Sequence, residues 1–294
     1  MLDLDATVLR DLTVWIALMV GSGMLIGLAP SLMRTGAKRS DPSVAAALFG
    51  TVLALCAIGI AALSGAFSLP QNTQLIWLML SGFFTGLVWL CLFTALTGGL
   101  TSKVIPLVQV SIVPVLVACH FLIGTPMSLW RISALLVVLL GTVFIESRTK
   151  ALRGQLWLIY AGIAALAYAG LDLIQRTSLA GMNRQLFHLF RTGIACMWLW
   201  AFVLLRGKQK SFAGMKCKAW VAIPCSAVAV AGCWLCNYGI SLRGDGGRFA
   251  PLSILGYFMM LLFARVIQKE RQPGSAIFGA LLVLFGMFVL AIGW

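Results

Sequence analysis

Six side chains in this sequence have types and settings suited to holding a small molecule. Gln109, Asn237 and Tyr238 are neutral donors or acceptors in strongly apolar surroundings, where they could orient a ligand held mainly by apolar contact. Trp89 and Trp234 offer flat apolar faces, and both stand inside long apolar runs rather than at their ends, where tryptophan usually collects. Asp172 is the one acid placed within such a run. It suits a proton- or cation-coupling group, or the counter-ion of a cationic ligand. Each residue also has a plainer role. The amides could join helices, at about 0.6 kcal/mol per bond in a membrane. The indoles could simply pack, and Asp172 could pair with Arg176 one helical turn on. The chemistry is binding and ion coupling, with no catalytic residue among them.

The elements that must carry these side chains are membrane helices. The chain is 61% hydrophobic and 10% charged, with a mean hydropathy of +1.00, outside the usual soluble range. Apolar runs of a length to cross about 30 Å of hydrocarbon recur from end to end. Ten candidate spans fall at approximately 12–33, 43–63, 74–97, 103–123, 129–145, 155–175, 186–205, 219–241, 249–267 and 274–294. The runs are continuous and do not alternate, which disfavours a barrel. Met1–Asp11 carries three aspartates and lacks a basic flank, so the first helix reads as retained. The longest polar connection, Arg206 to Lys218, leaves no room for a soluble catalytic or ligand-binding domain.

The spans repeat. At an offset of 145 residues Trp89-Leu90-Cys91 returns as Trp234-Leu235-Cys236, and Lys103 to Leu107 as Arg248 to Leu252. Leu136, Val138, Leu139 and Gly141 return as Leu281, Val283, Leu284 and Gly286. The halves are 1–147 and 148–294, together one membrane domain. Five helices per copy force the second copy to run inverted, the architecture of secondary transporters. The fold expectation is therefore all-α integral membrane, with ten helices in two inverted repeats. Such a fold places a cavity between the copies, and the paired tryptophans would sit about its axis. Pro106, Pro114 and Pro251 are candidates for local bends, because proline removes an intrahelical donor. Lys103 and Arg248 precede matching helices, where they could snorkel to headgroups or attract an anionic solute.

A formal charge of +14 invites a nucleic-acid partner, but its distribution points to topology. The side holding both termini carries seven cations: Arg10, Arg131, Arg176, Arg184, Arg191, Arg243 and Arg248. The opposite side carries fifteen, among them Arg34, Lys103 and the Arg206–Lys218 loop. Basic loops stay cytoplasmic, so both termini are expected outside a cell inner membrane. Bilayer lipid is the implied partner; nucleic acid is not, and a monomer suffices. Most of the eight cysteines fall inside spans, where a thiol behaves as a small hydrophobe. Cys233-Trp234-Leu235-Cys236 lacks a second pair, and with two histidines in all no metal site or other cofactor is expected. Two histidines and two glutamates also make a poor constellation for a membrane enzyme. No Walker loop is present for ATP-driven pumping.

Gly98-Gly99-Leu100-Thr101-Ser102-Lys103-Val104-Ile105-Pro106-Leu107, followed by an apolar helix, Gly124 and a span through Gly141, resembles one EamA-type module. That module belongs to the drug/metabolite transporter superfamily. The second copy is similar, with Arg248 to Leu252, Lys269-Glu270-Arg271, Gly279 and Gly286. Glu270 holds the family's frequent acid before the last hairpin, whereas the first copy has Thr125 there. The resemblance implies a ten-helix secondary transporter of a small organic metabolite, such as an amino acid or a drug-like compound. Export or exchange by alternating access is the implied mode. A non-transporting sensor or assembly partner with the same fold is the alternative.

Overall fold

The computed structural model describes residues 6–65, 70–124, 128–146, 156–179, 181–241, 250–270 and 274–292. Twelve helices follow one another: α1 Ala6–Ala37, α2 Pro42–Leu63, α3 Asn72–Gly98, α4 Thr101–Gln109, α5 Ile112–Ile123, α6 Leu129–Glu146, α7 Leu156–Thr177, α8 Arg184–Leu205, α9 Gln209–Ala213, α10 Cys217–Ser241, α11 Ala250–Gln268 and α12 Gly274–Ile292. No strand occurs among the described residues. Seven segments are long and apolar enough to cross a membrane, from α1, α2, α3, α4–α5 taken together, α7, α8 and α10. Shorter apolar stretches lie in α6 (Leu129–Gly141), α11 (Phe258–Gln268) and α12 (Ile277–Gly286). The chain is a multi-pass membrane protein whose described residues are helices and short connections.

The fourth span is interrupted where proline requires it. Pro114 has no N–H to offer the carbonyl of Val110, and its ring crowds that carbonyl. Val113 N–H takes over the bond at 2.9 Å, while Val110 and Ser111 bond back to Leu107 and Val108 in the tighter i→i−3 pattern. The break leaves Gln109 as the last residue of α4. The Arg206–Lys218 connection also differs from a plain loop, since it contains the exposed five-residue helix α9.

Helix neighbours are set by small residues. α1 lies against α10 and α11, α3 against α7 and α8, α2 against α8 and α10, and α6 against α12. A methyl group added at Gly141 would come within 2.7 Å of the Gly279 carbonyl, and one at Gly286 within 2.8 Å of the Ala134 carbonyl. The backbones of α6 and α12 therefore touch, as small residues allow in membranes. At the centre, the Thr51 hydroxyl of α2 lies 3.4 Å from Cys196 Sγ of α8 and accepts from Trp200 Nε1 at 2.8 Å.

Several cations lie elsewhere than the loop reading placed them. Arg191 belongs to α8, seven residues from its start and so about 10 Å along the axis. Arg34 and Lys103 are 5% and 6% exposed, so neither snorkels to headgroups. Arg248 falls outside the described residues.

α2 begins with a capped turn. Asp41 accepts from Ser43 N–H at 3.0 Å and from the Ser43 hydroxyl at 2.5 Å, and Pro42 supplies the preset φ of a first helical residue. Burial alone would raise the Asp41 carboxyl, but the Ser43 bonds and the Lys208 ammonium 3.6 Å away hold it below its ordinary value. A depressed carboxylate stabilises the fold above its unfolded pKa, and that share is lost as pH falls through the folded value. Asp41→Ala should cost about 1 kcal/mol near neutrality. The deficit should vanish in strong acid, which melting curves of both proteins across that pH range would reveal.

Candidate functional site

A cavity of about 390 Å³ lies in the helical bundle, within the range of small-molecule sites. Its walls come from α1, α2, α3, α4, α7, α8, α10 and α11. Most of the lining is aliphatic or aromatic, including Met33, Phe49, Leu53, Trp89, Leu92 and Trp234. The polar groups are Thr85, Gln109, Tyr168, Arg191, Cys233 and Asn237. Arg191 is the one charged residue among the described residues of this lining.

Four of the residues singled out from sequence come together here: Trp89, Gln109, Trp234 and Asn237. Trp89 is 8% exposed and meets Phe49 edge-on, with ring centroids 5.2 Å apart. Trp234 is half-buried and stacks on His188 at 4.2 Å and 15°. Asn237 accepts from Ser22 at 3.1 Å and donates to Cys233 Sγ at 3.6 Å, so it both lines the cavity and ties α10 to α1. Gln109 reaches the wall because α4 stops there.

Tyr238 is not brought to this wall. It lines a recess of about 10 Å³, room for one water, with His188, Gln185, Arg184 and Trp234. Trp234 borders both spaces and so separates Tyr238 from the main cavity. Asp172 also stays off the cavity lining. Its carboxylate accepts from Arg176 Nε at 2.8 Å within α7, the intrahelical alternative named above. No metal-holding cluster of His, Cys, Asp or Glu exists among the described residues.

Two features escaped the sequence reading. The first is Arg191, whose guanidinium lies 4.9 Å from the centre of the Phe187 ring and 5.5 Å from that of Trp234. Its signal was present: an arginine inside an apolar run is costly and points to function. The second is a buried network beyond Met33 and Ile105 at one end of the cavity. Glu270 pairs with Arg34 and accepts from Thr101 N–H at 3.0 Å, Ser102 N–H at 3.4 Å and the Ser102 hydroxyl at 3.1 Å. Gln268 accepts from Arg34 at 2.6 Å and donates to the Ser31 carbonyl at 2.6 Å. Glu270 thus caps the N-terminus of α4, whose own N-cap residue, Leu100, has no side-chain acceptor. Lys269, at φ 51, turns the chain back to deliver it.

Residues 13–147 match the sequence model of the EamA-like transporter family. That segment is similar to one EamA module. That family is part of the drug/metabolite transporter superfamily, and its members are generally non-enzymatic carriers of small molecules. The EamA match contains α2, α3, α4, α5 and α6, and hence Trp89, Gln109 and the segment that Glu270 caps. No curated protein sequence matches the chain. The crystal structure of another protein is similar over 92% of this chain and 96% of its own, with a TM-score of 0.58 and 15% identity. The superposition shows a common fold, extending well past the EamA segment into the second half.

Proposed function

We propose that this EamA-type protein is a ten-crossing secondary carrier that exports or exchanges a small organic solute by alternating access around the 390 Å³ cavity. The observation that carries this reading is the origin of the walls: one space lined by helices of both halves, with matching Trp89 and Trp234. The inverted-repeat reading has support from helix neighbours. Exchange each helix for its counterpart 145 residues away, and α1–α10 becomes α7–α3, α1–α11 becomes α7 with α4–α5, and α3–α8 becomes α10–α2. Every one of these is a packed pair. Thr51 and Cys196 differ by 145 and touch, and Val138 and Val283 differ by 145 and share one buried cluster. Counterparts in contact lie beside a two-fold axis.

In this reading Trp89, Trp234, Gln109 and Asn237 hold the solute, and Tyr238 supports Trp234 from behind. Purified protein in liposomes preloaded with candidate solutes should show counterflow of a labelled one. If no solute that protects the protein against heat is carried in either direction, a sensor with a carrier's fold is the better account. Asp172 is the acid to test for ion coupling, and its bond to Arg176 favours a structural role. Asp172→Asn should therefore retain gradient-driven transport with its pH dependence and lose no more than about 0.5 kcal/mol of stability. Collapse of uphill transport alone would make it the coupling site.

Removing Arg191 from one side of the charge count, and Arg34 and Lys103 from the other, leaves the basic bias standing. It favours α9 in the cytoplasm of an inner-membrane protein and both termini outside. A cysteine placed at Gln209 should resist an impermeant thiol reagent in intact cells and react after lysis. Labelling from outside sealed cells would reverse the orientation.

A further inference from the structure

We propose that the solute is an organic monoanion, a carboxylate, and that Arg191 is the group that binds it; this deepens the carrier reading and rests on it. Arg191 stands about 10 Å inside α8, on the wall of the cavity. Its Nε is fully enclosed and has no hydrogen-bond partner. No hydrogen bond or ion pair to its guanidinium occurs among the described residues. Its contacts are with the faces of Phe187 and Trp234, which hold the plane of the group and supply no acceptor. Asp172 and the Tyr168 hydroxyl on α7 are close enough to act on Arg191 electrostatically, but the carboxylate's hydrogen bond goes to Arg176.

A guanidinium carries five donors in a planar fork and stays charged, so leaving it without an acceptor inside a membrane protein is costly. Proteins retain such a group where a ligand completes it, and the geometry of the fork matches a carboxylate. The cavity adds the rest of the specification. One positive charge and no further cation among the described residues of the lining suit a single negative charge rather than a phosphate dianion. Trp234 extends from the guanidinium along the wall, with Phe49 and Trp89 lining the same space. A planar or branched apolar body attached to the carboxylate would fill it. Gln109, Thr85 and Asn237 are neutral, so a second polar group on the solute is accommodated without a second charge.

The test uses indole-3-acetate, indole-3-acetamide and tryptamine, which share a ring system and differ in charge, with benzoate and 2-naphthoate as smaller and larger acids. Binding is followed by calorimetry and by melting temperature on detergent-purified full-length protein. At least one acid should bind and raise the melting temperature, with the amide and amine of the indole series weaker by roughly 30-fold or more. Arg191→Gln should remove that preference, and Arg191→Lys should restore only part of it. Free of ligand, Arg191→Gln should melt no lower than the unaltered protein, because a buried cation without a hydrogen-bond acceptor has been removed. An arginine kept for packing would instead lower the melting temperature and leave the acid preference intact. Failure of all three acids to bind, equal binding of acid and amide, or an unchanged preference in Arg191→Gln overturns the proposal. These are binding measurements, so they are separable from the carrier reading. An acid bound through Arg191 but never moved across liposomes sinks the carrier and leaves the site, and counterflow of neutral solutes untouched by Arg191→Gln does the reverse.

Discussion

Replacing Glu270 by alanine should cost about 3–5 kcal/mol of stability, the largest effect expected of any single polar substitution in this chain. Arg34 would remain buried with its charge uncompensated, and the Thr101 and Ser102 amides at the start of α4 would lose their acceptor. A second change separates the two losses. Adding Arg34→Met to Glu270→Ala removes the stranded charge and should recover part of the deficit, leaving only the uncapped helix. Glu270→Gln keeps an acceptor for the amides and should fall between. Melting or denaturant unfolding of the four proteins in one detergent gives the comparison. Should Glu270→Ala melt with the parent, the ion pair contributes nothing and α4 is held by its packing.

The two tryptophans, alike in sequence, should respond differently to truncation. Trp89 is almost fully buried against Phe49, and its ring also lies where a side chain on Gly50 would stand. Trp89→Ala should lose about 3–5 kcal/mol, as buried aromatic deletions do, and its activity should fall with the fold. Trp234 divides two spaces, stacks on His188 and faces Arg191. Trp234→Ala should reduce transport of a carried solute by roughly tenfold or more while shifting stability much less, since the lost contacts are partly with the ligand. Trp234→Phe keeps an aromatic face and should retain most activity. Rates of counterflow plotted against melting temperature for these variants decide the matter. Trp234→Ala lying on the same line as Trp89→Ala would mark both as packing.

Much of the architecture was legible because hydrophobic length and recurrence are written in composition. Span positions follow from the cost of exposing polar groups to lipid, and the offset of 145 residues recurs as contacts between Thr51 and Cys196. Residue type and depth were enough to pick Trp89, Gln109, Trp234 and Asn237 for one cavity. Facing was harder. Tyr238 follows Asn237 directly, so a helix turns it about 100° away, and no pattern in a nearly all-apolar segment says which of two adjacent polar residues looks inward. Arg191 was missed because a charge near one end of a span was counted as a loop cation. Glu270 was placed by resemblance, but its partners lie more than 160 residues away and are found only through packing.

The network around Glu270 has no twin. The positions 145 residues from Arg34, Thr101, Ser102 and Glu270 are Leu179, Gly246, Gly247 and Thr125, none of which can reproduce an ion pair or a carboxylate cap. In a carrier made of inverted halves, the two access states are related by a two-fold rotation about an axis in the membrane plane, and equal sequences would populate them equally. In the proposed arrangement the charged clasp would therefore stand at one membrane face without a counterpart at the other. In the proposed carrier this would bias the empty protein whatever the solute gradients: the face bearing Glu270 would rest shut, because opening it would break a buried ion pair. Such an imbalance makes one half-cycle slow and the other fast, so the carrier would run as a rectifier under saturating conditions while still obeying the same overall equilibrium.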